Sequence, residues 1–272
     1  MSLVVFFLSL GAVWAGYIGI SRLRQNARRQ KALDQPFPDA WVEILKQNLP
    51  PYGKLSEDLR QQLHQDIQLF LAEKSFEGCG GLIITDEIRV TIAAEACLLL
   101  LNRKDTNYPK LISILVYPST YVDSNEGLFI DKSKSKTARL GESWALGTVV
   151  LAWDSVKRGA LNFHDGHNVV LHEFAHQLDQ EDGSSDGAPI LEKRSAYGAW
   201  AKIFSREFAE LQEEKQKRKP SMFDKYGATN PAEFFAVVTE AFYEKPERFQ
   251  KKHPELYEEL REYYKVDPIE WI

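Results

Sequence analysis

The chain opens on a hydrophobic stretch unlike any later segment. Residues 3 to 20 contain no charged side chain and are rich in Val, Phe, Leu and Ile, with one Trp. A helix of this length, eighteen residues, extends about 27 Å, which is close to the thickness of the hydrocarbon core of a bilayer. Since the run is apolar on every helical face, we predict a single transmembrane helix over Leu3–Ile20 and not a buried core helix.

A basic flank follows this stretch. It consists of Arg22, Arg24, Arg28, Arg29 and Lys31. Because positively charged flanks stay on the cytoplasmic side, we expect a single-pass protein of the cell inner membrane whose remaining residues are cytoplasmic. A cleaved signal peptide, with residues 13–15 as the cleavage site, is the alternative. Against it, no charged segment precedes the apolar run, and the run continues beyond that site.

These patterns divide the chain into three parts. We assign residues 1–21 to the anchor, 22–38 to a basic juxtamembrane segment and linker, and 39–272 to a soluble domain. Pro36 and Pro38 indicate the linker because proline interrupts a helix.

Within the soluble part, the spacing of apolar residues predicts mostly helices. Four of them, Leu59, Leu63, Ile67 and Phe70, recur at helical intervals on one face of Ser56–Glu73. Helices are also predicted over Trp41–Leu49, over Thr85–Leu101 and over most of the chain after residue 165, and strands over the β-branched, apolar runs Leu111–Tyr117 and Gly147–Trp153. The expected fold is α+β, a mainly helical domain with a small sheet.

Composition and charge narrow the class of function. The chain has 272 residues, a formal net charge of -5 and no strongly basic domain, so we expect no nucleic-acid partner. Its two cysteines, Cys79 and Cys97, are too few for a disulfide-stapled module or a cysteine-rich zinc site. Any metal ion would therefore be held by histidine and carboxylate side chains.

One segment carries a metal-site pattern. His172-Glu-Phe-Ala-His176 is an H-E-x-x-H motif, and in a helix its two histidines lie on one face. Both imidazoles can then reach one ion, with Glu173 beside them as the general base of a metallopeptidase. Apolar residues on both sides of the motif predict a buried helix. Two partly buried histidines on an ordinary helix are the alternative.

A catalytic zinc site needs a third protein ligand, and local chemistry leaves three acids open. Asp179 follows His176 by one helical turn. Glu233 occupies the first turn of a helix that Asn230 can cap, so its carboxylate can equally reach back to the Asn230 amide in a capping box. Glu240 lies two turns further along the same face.

Two motifs taken together resemble the Mlc titration factor A family of zinc-dependent peptidases. They are His172-Glu-Phe-Ala-His-Gln-Leu-Asp179 and the later Tyr226-Gly-x-x-Asn-Pro-Ala-Glu-Phe-Phe-Ala236. The pair is also similar to the catalytic domain of the anthrax toxin lethal factor. Further similarity to the family lies in Ile114-Leu-Val-Tyr-Pro118, Gly141-Glu-Ser-Trp144, Gly147-Thr-Val-Val-Leu-x-Trp153 and Pro246-Glu-Arg-Phe249.

This resemblance implies a zincin-like metallopeptidase domain with one zinc ion per chain. It implies His172, His176 and Glu233 as zinc ligands. It further implies Glu173 as catalytic base and Tyr226 as the residue that stabilises the oxyanion. It also implies a peptide or protein substrate, with endopeptidase and aminopeptidase activity both open. The family interacts with a glucose-responsive transcriptional repressor, so a non-catalytic protein that sequesters such a repressor is the alternative. The predicted anchor departs from the family, whose pattern is a soluble cytosolic protein.

Further expectations concern the surroundings of the motif. We expect Asp179 to hold a ligand histidine by its free ring nitrogen, with an exposed acid at a helix end as the alternative. The strand Gly147–Trp153 either pairs with an extended peptide or is an ordinary core strand. His164 and His167 precede the motif and are expected to be loop residues.

Overall fold

The computed structural model describes residues 23–103, 107–119 and 147–271. The predicted transmembrane segment Leu3–Ile20 and the motif Gly141–Trp144 lie outside these ranges. Inside them, no helix combines the length and the apolar composition that crossing a membrane requires.

The first part of the described chain combines helices with short strands. Its helices are α1 (23–33), α2 (Asp39–Asn48), α3 (Glu57–Glu73) and α4 (Asp86–Leu98), and its strands are β1 (Ser75–Gly78) and β2 (Ser113–Tyr117). Side-chain caps explain where α3 and α4 begin. Ser56 Oγ accepts the Leu59 N–H at 3.4 Å, and Thr85 Oγ1 accepts the Ile88 N–H at 3.3 Å.

The strands form one parallel sheet in the order β1-β2-β3, where β3 is Thr148–Ala152. In its register Ile114 stands between Phe76 and Val149. The small sheet is therefore confirmed. Sequence patterns did not predict β1, because Ser75-Phe-Glu-Gly78 is short, partly exposed and poor in β-branched residues.

The second part of the chain is helical. Its helices are α5 (Trp153–Leu161), α6 (Val169–Asp179), α7 (Tyr197–Gln216), α8 (Pro231–Glu244), α9 (Pro246–Lys252) and α10 (Pro254–Tyr264). The last three begin with proline, whose missing N–H has no helical partner at that position. The predicted α+β class with mainly helical content is confirmed.

The core surrounds the helix that carries the H-E-x-x-H motif. α6 packs against both α4 and α8. α4 is buried along almost its whole length, which agrees with its apolar sequence. Large rings fill the space around α8, including the buried side chains of Phe234, Phe235, Phe242, Tyr257 and Tyr264. The motif therefore lies inside the domain, where side-chain positions are held by close packing.

The segment predicted as a linker packs against the domain. Gln68 of α3 donates from Nε2 to the carbonyl oxygens of Ala32 and Gln35 at 3.2 and 2.8 Å. The ring of Phe37 stacks on His64 with centroids 3.8 Å apart. The two side chains that hold the segment, Gln68 and His64, belong to α3, which comes later in the sequence. The basic residues and prolines of the segment itself therefore predicted only a connector.

Candidate metal centre

Helix α6 carries the H-E-x-x-H motif, and Asn168 holds its first turn. The Asn168 side-chain oxygen accepts the N–H groups of Val170 and Leu171, each at 3.0 Å, and so caps the helix. Its Nδ2 donates to Glu95 Oε1 on α4 at 2.6 Å. Since the helix begins at a residue tied to α4, the direction in which His172 projects one turn later is fixed as well.

His172, His176 and Glu233 bring their ligand atoms together. His172 Nε2 lies 3.3 Å from His176 Nε2 and 3.0 Å from Glu233 Oε2, and His176 Nε2 lies 3.4 Å from the same oxygen. All of these residues are buried, with at most 3% of their surface exposed. In the part of the chain that the structure describes, no other trio of His, Cys, Asp or Glu lies close enough to share a metal ion.

These distances fit a tetrahedral metal ion. An ion bound to nitrogen and oxygen at about 2.0–2.2 Å separates neighbouring ligand atoms by roughly 3.3–3.5 Å. The observed separations, 3.0 to 3.4 Å, are close to that range. Catalytic zinc sites use the same donor set of imidazole nitrogens and a carboxylate oxygen and leave one position open for water. The residues present therefore suit a metal ion without rearrangement of the fold.

Glu240 acts on the opposite side of the His172 ring. Its Oε1 lies 2.7 Å from His172 Nδ1, and its Oε2 accepts the backbone N–H of Asn168 at 2.6 Å. A carboxylate that accepts from Nδ1–H leaves the lone pair on Nε2, the atom that faces His176 and Glu233. Glu240 thus orients a candidate ligand and is not itself a member of the cluster.

The carboxylate of Glu233 turns to the histidines and not to its own helix start. The Glu233 backbone N–H donates to Asn230 Oδ1 at 2.9 Å, as a capped helix requires. Its carboxylate contacts His172, His176 and Tyr226. The capping-box interpretation of this side chain is therefore wrong. Although burial opposes ionisation, the adjacent imidazoles of His172 and His176 hold the pKa of Glu233 well below its ordinary value.

Asp179 differs from both sequence expectations. It is fully buried, so the interpretation as an exposed acid is wrong. Its Oδ2 accepts the N–H of Gly187 at 3.1 Å, and in the described ranges no hydrogen bond joins it to a histidine. The carboxylate that holds a candidate ligand is Glu240, because the face of α8 meets His172 while the end of α6 meets the loop at Gly187. Burial raises the pKa of Asp179 to about 6.

Tyr226 and Glu173 lie at the more accessible side of the cluster. Tyr226 donates its hydroxyl hydrogen to Glu233 Oε1 at 3.2 Å. Burial, Glu233 and Glu173 all raise the pKa of Tyr226, so its hydroxyl stays protonated and can donate. Glu173 follows His172 directly on α6, and both it and Tyr226 are only half-buried. A substrate approaching the cluster can therefore meet both side chains.

Two buried acids behind the cluster, Glu95 and Glu244, were not among the residues that the sequence patterns predicted. Glu244 Oε2 accepts the N–H groups of Gly166 and His167 at 2.7 and 3.0 Å and so holds the loop before α6. Burial raises the pKa of Glu95 and that of Glu244 to about 8. A signal was present, because one face of α8 carries acids at helical spacing, namely Glu233, Glu240 and Glu244.

Other features near the motif stay apart from the cluster. His164 and His167 are exposed, and His167 Nδ1 lies 3.5 Å from Asp224 Oδ2. β3 is mostly buried and, within the described sheet, has a neighbouring strand on one side. Pairing of β3 with a peptide stays a prediction.

Comparison with known proteins identifies the family. The family described as glucose-regulated metallo-peptidase M90 matches residues 23–265. The chain belongs to the M90 metallopeptidase family. An uncharacterized protein of Synechocystis sp. is 43% identical over 247 residues, 89% of each chain. Mlc titration factor A of Yersinia pestis and that of Yersinia pseudotuberculosis are each 29% identical over 236 residues, 84% of this chain and 85% of theirs.

The M90 match covers every helix and strand described above, α1 included. It confirms the resemblance to the Mlc titration factor A family. As an M90 metallopeptidase, the chain is a hydrolase of peptide or protein substrates with a metal cofactor. The cluster between α6 and α8 is the place in the described structure that can hold that metal.

Proposed function

We propose that this M90 metallopeptidase hydrolyses peptide bonds with one zinc ion per chain and Glu173 as general base. In this proposal His172, His176 and Glu233 hold the ion. The observation that carries it is the convergence of two imidazole nitrogens and one carboxylate oxygen within 3.0 to 3.4 Å of one another, beside a half-buried glutamate.

Zinc is the metal that this donor set favours. Imidazole nitrogen together with carboxylate oxygen suits a borderline ion, whereas calcium and magnesium prefer oxygen ligands alone. The small separations between the ligand atoms also favour tetrahedral coordination.

The chain's own residues supply the proton transfers and the charge stabilisation. When bound, a zinc ion lowers the pKa of a water molecule and polarises the peptide carbonyl. Glu173 accepts the proton of the attacking water and passes it to the leaving amine. As the carbonyl carbon becomes tetrahedral, the Tyr226 hydroxyl donates a hydrogen bond to the oxygen that gains negative charge. Tyr226 can do so because its raised pKa keeps it protonated at neutral pH.

Glu173→Gln separates catalysis from metal binding. The amide has the same shape but cannot accept the proton, so we expect hydrolysis to fall by at least about 10²-fold with the zinc content unchanged. Peptide turnover and zinc content measure the two effects. Peptides with free and with blocked amino termini also distinguish aminopeptidase from endopeptidase activity. Loss of zinc in Glu173→Gln would instead make Glu173 a ligand.

Tyr226→Phe is the matched test of the oxyanion role. It removes one donor and leaves the ring to pack, so turnover should fall by about 10²-fold while zinc content stays the same. Unchanged turnover would remove Tyr226 from the mechanism without affecting the role of Glu173.

A second candidate function is binding without catalysis. Relatives carry the name Mlc titration factor A, and by analogy this chain would sequester a transcriptional repressor. A half-buried glutamate beside the cluster favours hydrolysis, because sequestration needs no base there. Affinity for a purified repressor of this type, measured on wild type, Glu173→Gln and Tyr226→Phe, separates the two. If zinc-loaded wild type cleaves no peptide yet binds the repressor as tightly as both variants do, sequestration alone stands.

We also propose that the chain is anchored at the cytoplasmic face of the inner membrane by Leu3–Ile20. The uncharged length of this run and the arginines after it support the anchor. α1 follows closely and packs on α3, with Arg29 Nε 2.7 Å from Glu73 Oε1. An anchor in front of α1 would therefore hold the domain near the bilayer.

Fractionation tests the anchor. The full-length chain should stay with membranes after a carbonate wash, a reporter at the C-terminus should report cytoplasm, and a chain without residues 1–22 should appear in the soluble fraction. A shortened chain beginning near Gly16 and found outside the cytoplasm would demonstrate a cleaved signal peptide.

A further inference from the structure

The C-terminal end of α6 borders a cavity that the proposed peptidase mechanism does not use. Its volume is about 350 Å³, and its lining includes Arg103, Glu181, Leu191, Trp200 and Tyr263. This volume is within the range of small-molecule sites. Glu181 belongs to the turn directly after α6, and none of the cluster residues His172, His176 and Glu233 borders the cavity.

Two oppositely charged side chains in this cavity each have one buried atom without a hydrogen bond. Arg103 Nη1 and Glu181 Oε1 are buried, and neither atom has a hydrogen bond to any residue within 23–103, 107–119 or 147–271. The Arg103 guanidinium stacks on the Tyr263 ring at 4.2 Å from its centroid. The stacking fixes the position of the guanidinium and leaves Nη1 without an acceptor. Buried polar atoms are normally hydrogen-bonded, so the open donor Nη1 and the open acceptor Oε1 suit a ligand that brings both an anionic and a cationic group.

The rest of the lining combines further charged side chains, among them Lys193, Glu259 and Glu262, with an apolar wall. At the mouth, Lys265 Nζ lies 3.0 Å from Glu192 Oε2, so these two charges neutralise each other. Leu191 and the buried ring of Trp200 form an apolar surface, and Ile190 beside them is 45% exposed. A ligand therefore meets a guanidinium, a carboxylate and a hydrocarbon surface in one small space.

We propose that this cavity binds a free α-amino acid with an apolar side chain. Its carboxylate accepts from Arg103 Nη1, as carboxylates do from guanidinium groups. Its ammonium group donates to Glu181 Oε1, and its side chain lies against Leu191 and Trp200. This site is separate from the metal cluster, and the inference does not depend on peptide hydrolysis.

The test compares L-leucine with two analogues that each lack one of its charges. L-leucine, N-acetyl-L-leucine without the ammonium group and L-leucinamide without the carboxylate are titrated calorimetrically into the metal-free full-length chain. Removal of the metal excludes binding of an amino acid at a catalytic zinc ion. We expect saturable binding of L-leucine and at least about tenfold weaker binding of each analogue, since each loses a charged hydrogen bond. Absence of saturable L-leucine binding at millimolar concentration, or equal affinity for all three ligands, overturns the proposal.

Variants then locate the ligand. Glu181→Gln and Arg103→Gln should each weaken L-leucine binding at least about tenfold. In Arg103→Gln, L-leucine and L-leucinamide should bind equally, because the partner of the carboxylate is gone. Their matched controls, Glu210→Gln and Arg158→Gln, change exposed side chains and should keep wild-type affinity.

Wild-type affinity in both cavity variants would place the ligand elsewhere and overturn the proposal. If Arg103→Gln fails to fold, the analogue series on the unchanged chain still decides. Because every titration is metal-free, its outcome is independent of whether the chain proves to be a peptidase.

Discussion

Among single residues, Glu240 has two donors to satisfy. It accepts from His172 Nδ1 at 2.7 Å and from the Asn168 N–H at 2.6 Å. A carboxylate serves both with its two oxygens, whereas an amide has one acceptor oxygen and would turn its NH₂ group toward the second donor. The orientation of His172 therefore depends on both acceptor oxygens of the carboxylate and not only on the shape of the side chain.

We expect Glu240→Gln to weaken zinc binding by about 10–100-fold, the usual effect of removing a carboxylate that orients a ligating histidine. Glu233→Ala removes a proposed ligand and should lose most of the zinc. Competition with a chromogenic chelator measures both. Glu210→Gln changes an exposed acid and is the control, which should keep the wild-type Kd. Wild-type affinity in Glu240→Gln would show that His172 needs no such orientation.

Among the elements, α6 depends on its cap more than an exposed helix does. Asn168 caps α6 with its oxygen and supplies the donor for the buried acid Glu95 with its Nδ2. Ser56 makes a single, longer cap bond of 3.4 Å at the exposed start of α3.

Asn168→Ala should lower the free energy of unfolding by about 1 kcal/mol for the cap and by a further 1–3 kcal/mol, roughly, for the donor lost to Glu95. Ser56→Ala, the matched control, should cost about 0.5–1 kcal/mol. Urea denaturation of the metal-free chain measures both. Equal costs would mean that the bond between Asn168 and Glu95 contributes nothing to stability.

For the whole molecule, the buried acids make stability depend on pH. Glu95 is completely buried, and burial raises its pKa to about 8 from an ordinary 4.5. Its Oε2 has no hydrogen-bond partner among the residues described, as suits a neutral carboxylic acid. The folded chain thus holds a proton that the unfolded chain releases, so this contribution is complete below about pH 4.5 and is lost as the pH rises to about 8.

We therefore expect the stability of the metal-free wild type to fall between about pH 5 and pH 8, and Glu95→Gln to reduce the slope by up to about 1.4 kcal/mol per pH unit. The amide oxygen can still accept from Asn168, so the fold is kept. Denaturation at a series of pH values measures the slope, and the exposed Glu210→Gln should leave it unchanged. Identical slopes in wild type and Glu95→Gln would show that Glu95 ionises normally.

Some features follow from local sequence because they depend on neighbours within one or two helical turns. The pairing of His172 with His176 on one face, the cap of Asn230 on Glu233 and the apolar burial of α4 are of this kind. The α+β class could be predicted for the same reason, since periodicity reports which face of each element is apolar. The choice of Glu233 among the acids needed the family resemblance, because spacing within one helix does not say which face meets the histidines.

The tertiary structure decided what depends on elements distant in the sequence. Only the packing of α6 against α8 assigns Glu240 to the back of His172 and leaves Asp179 with Gly187. The parallel order of the sheet, the docking of the predicted linker on Gln68 and the meeting of Arg103 with Glu181 in one cavity likewise need contacts between remote segments. Periodicity determines which side chains share a face, but which faces meet is determined by the packing of the whole core.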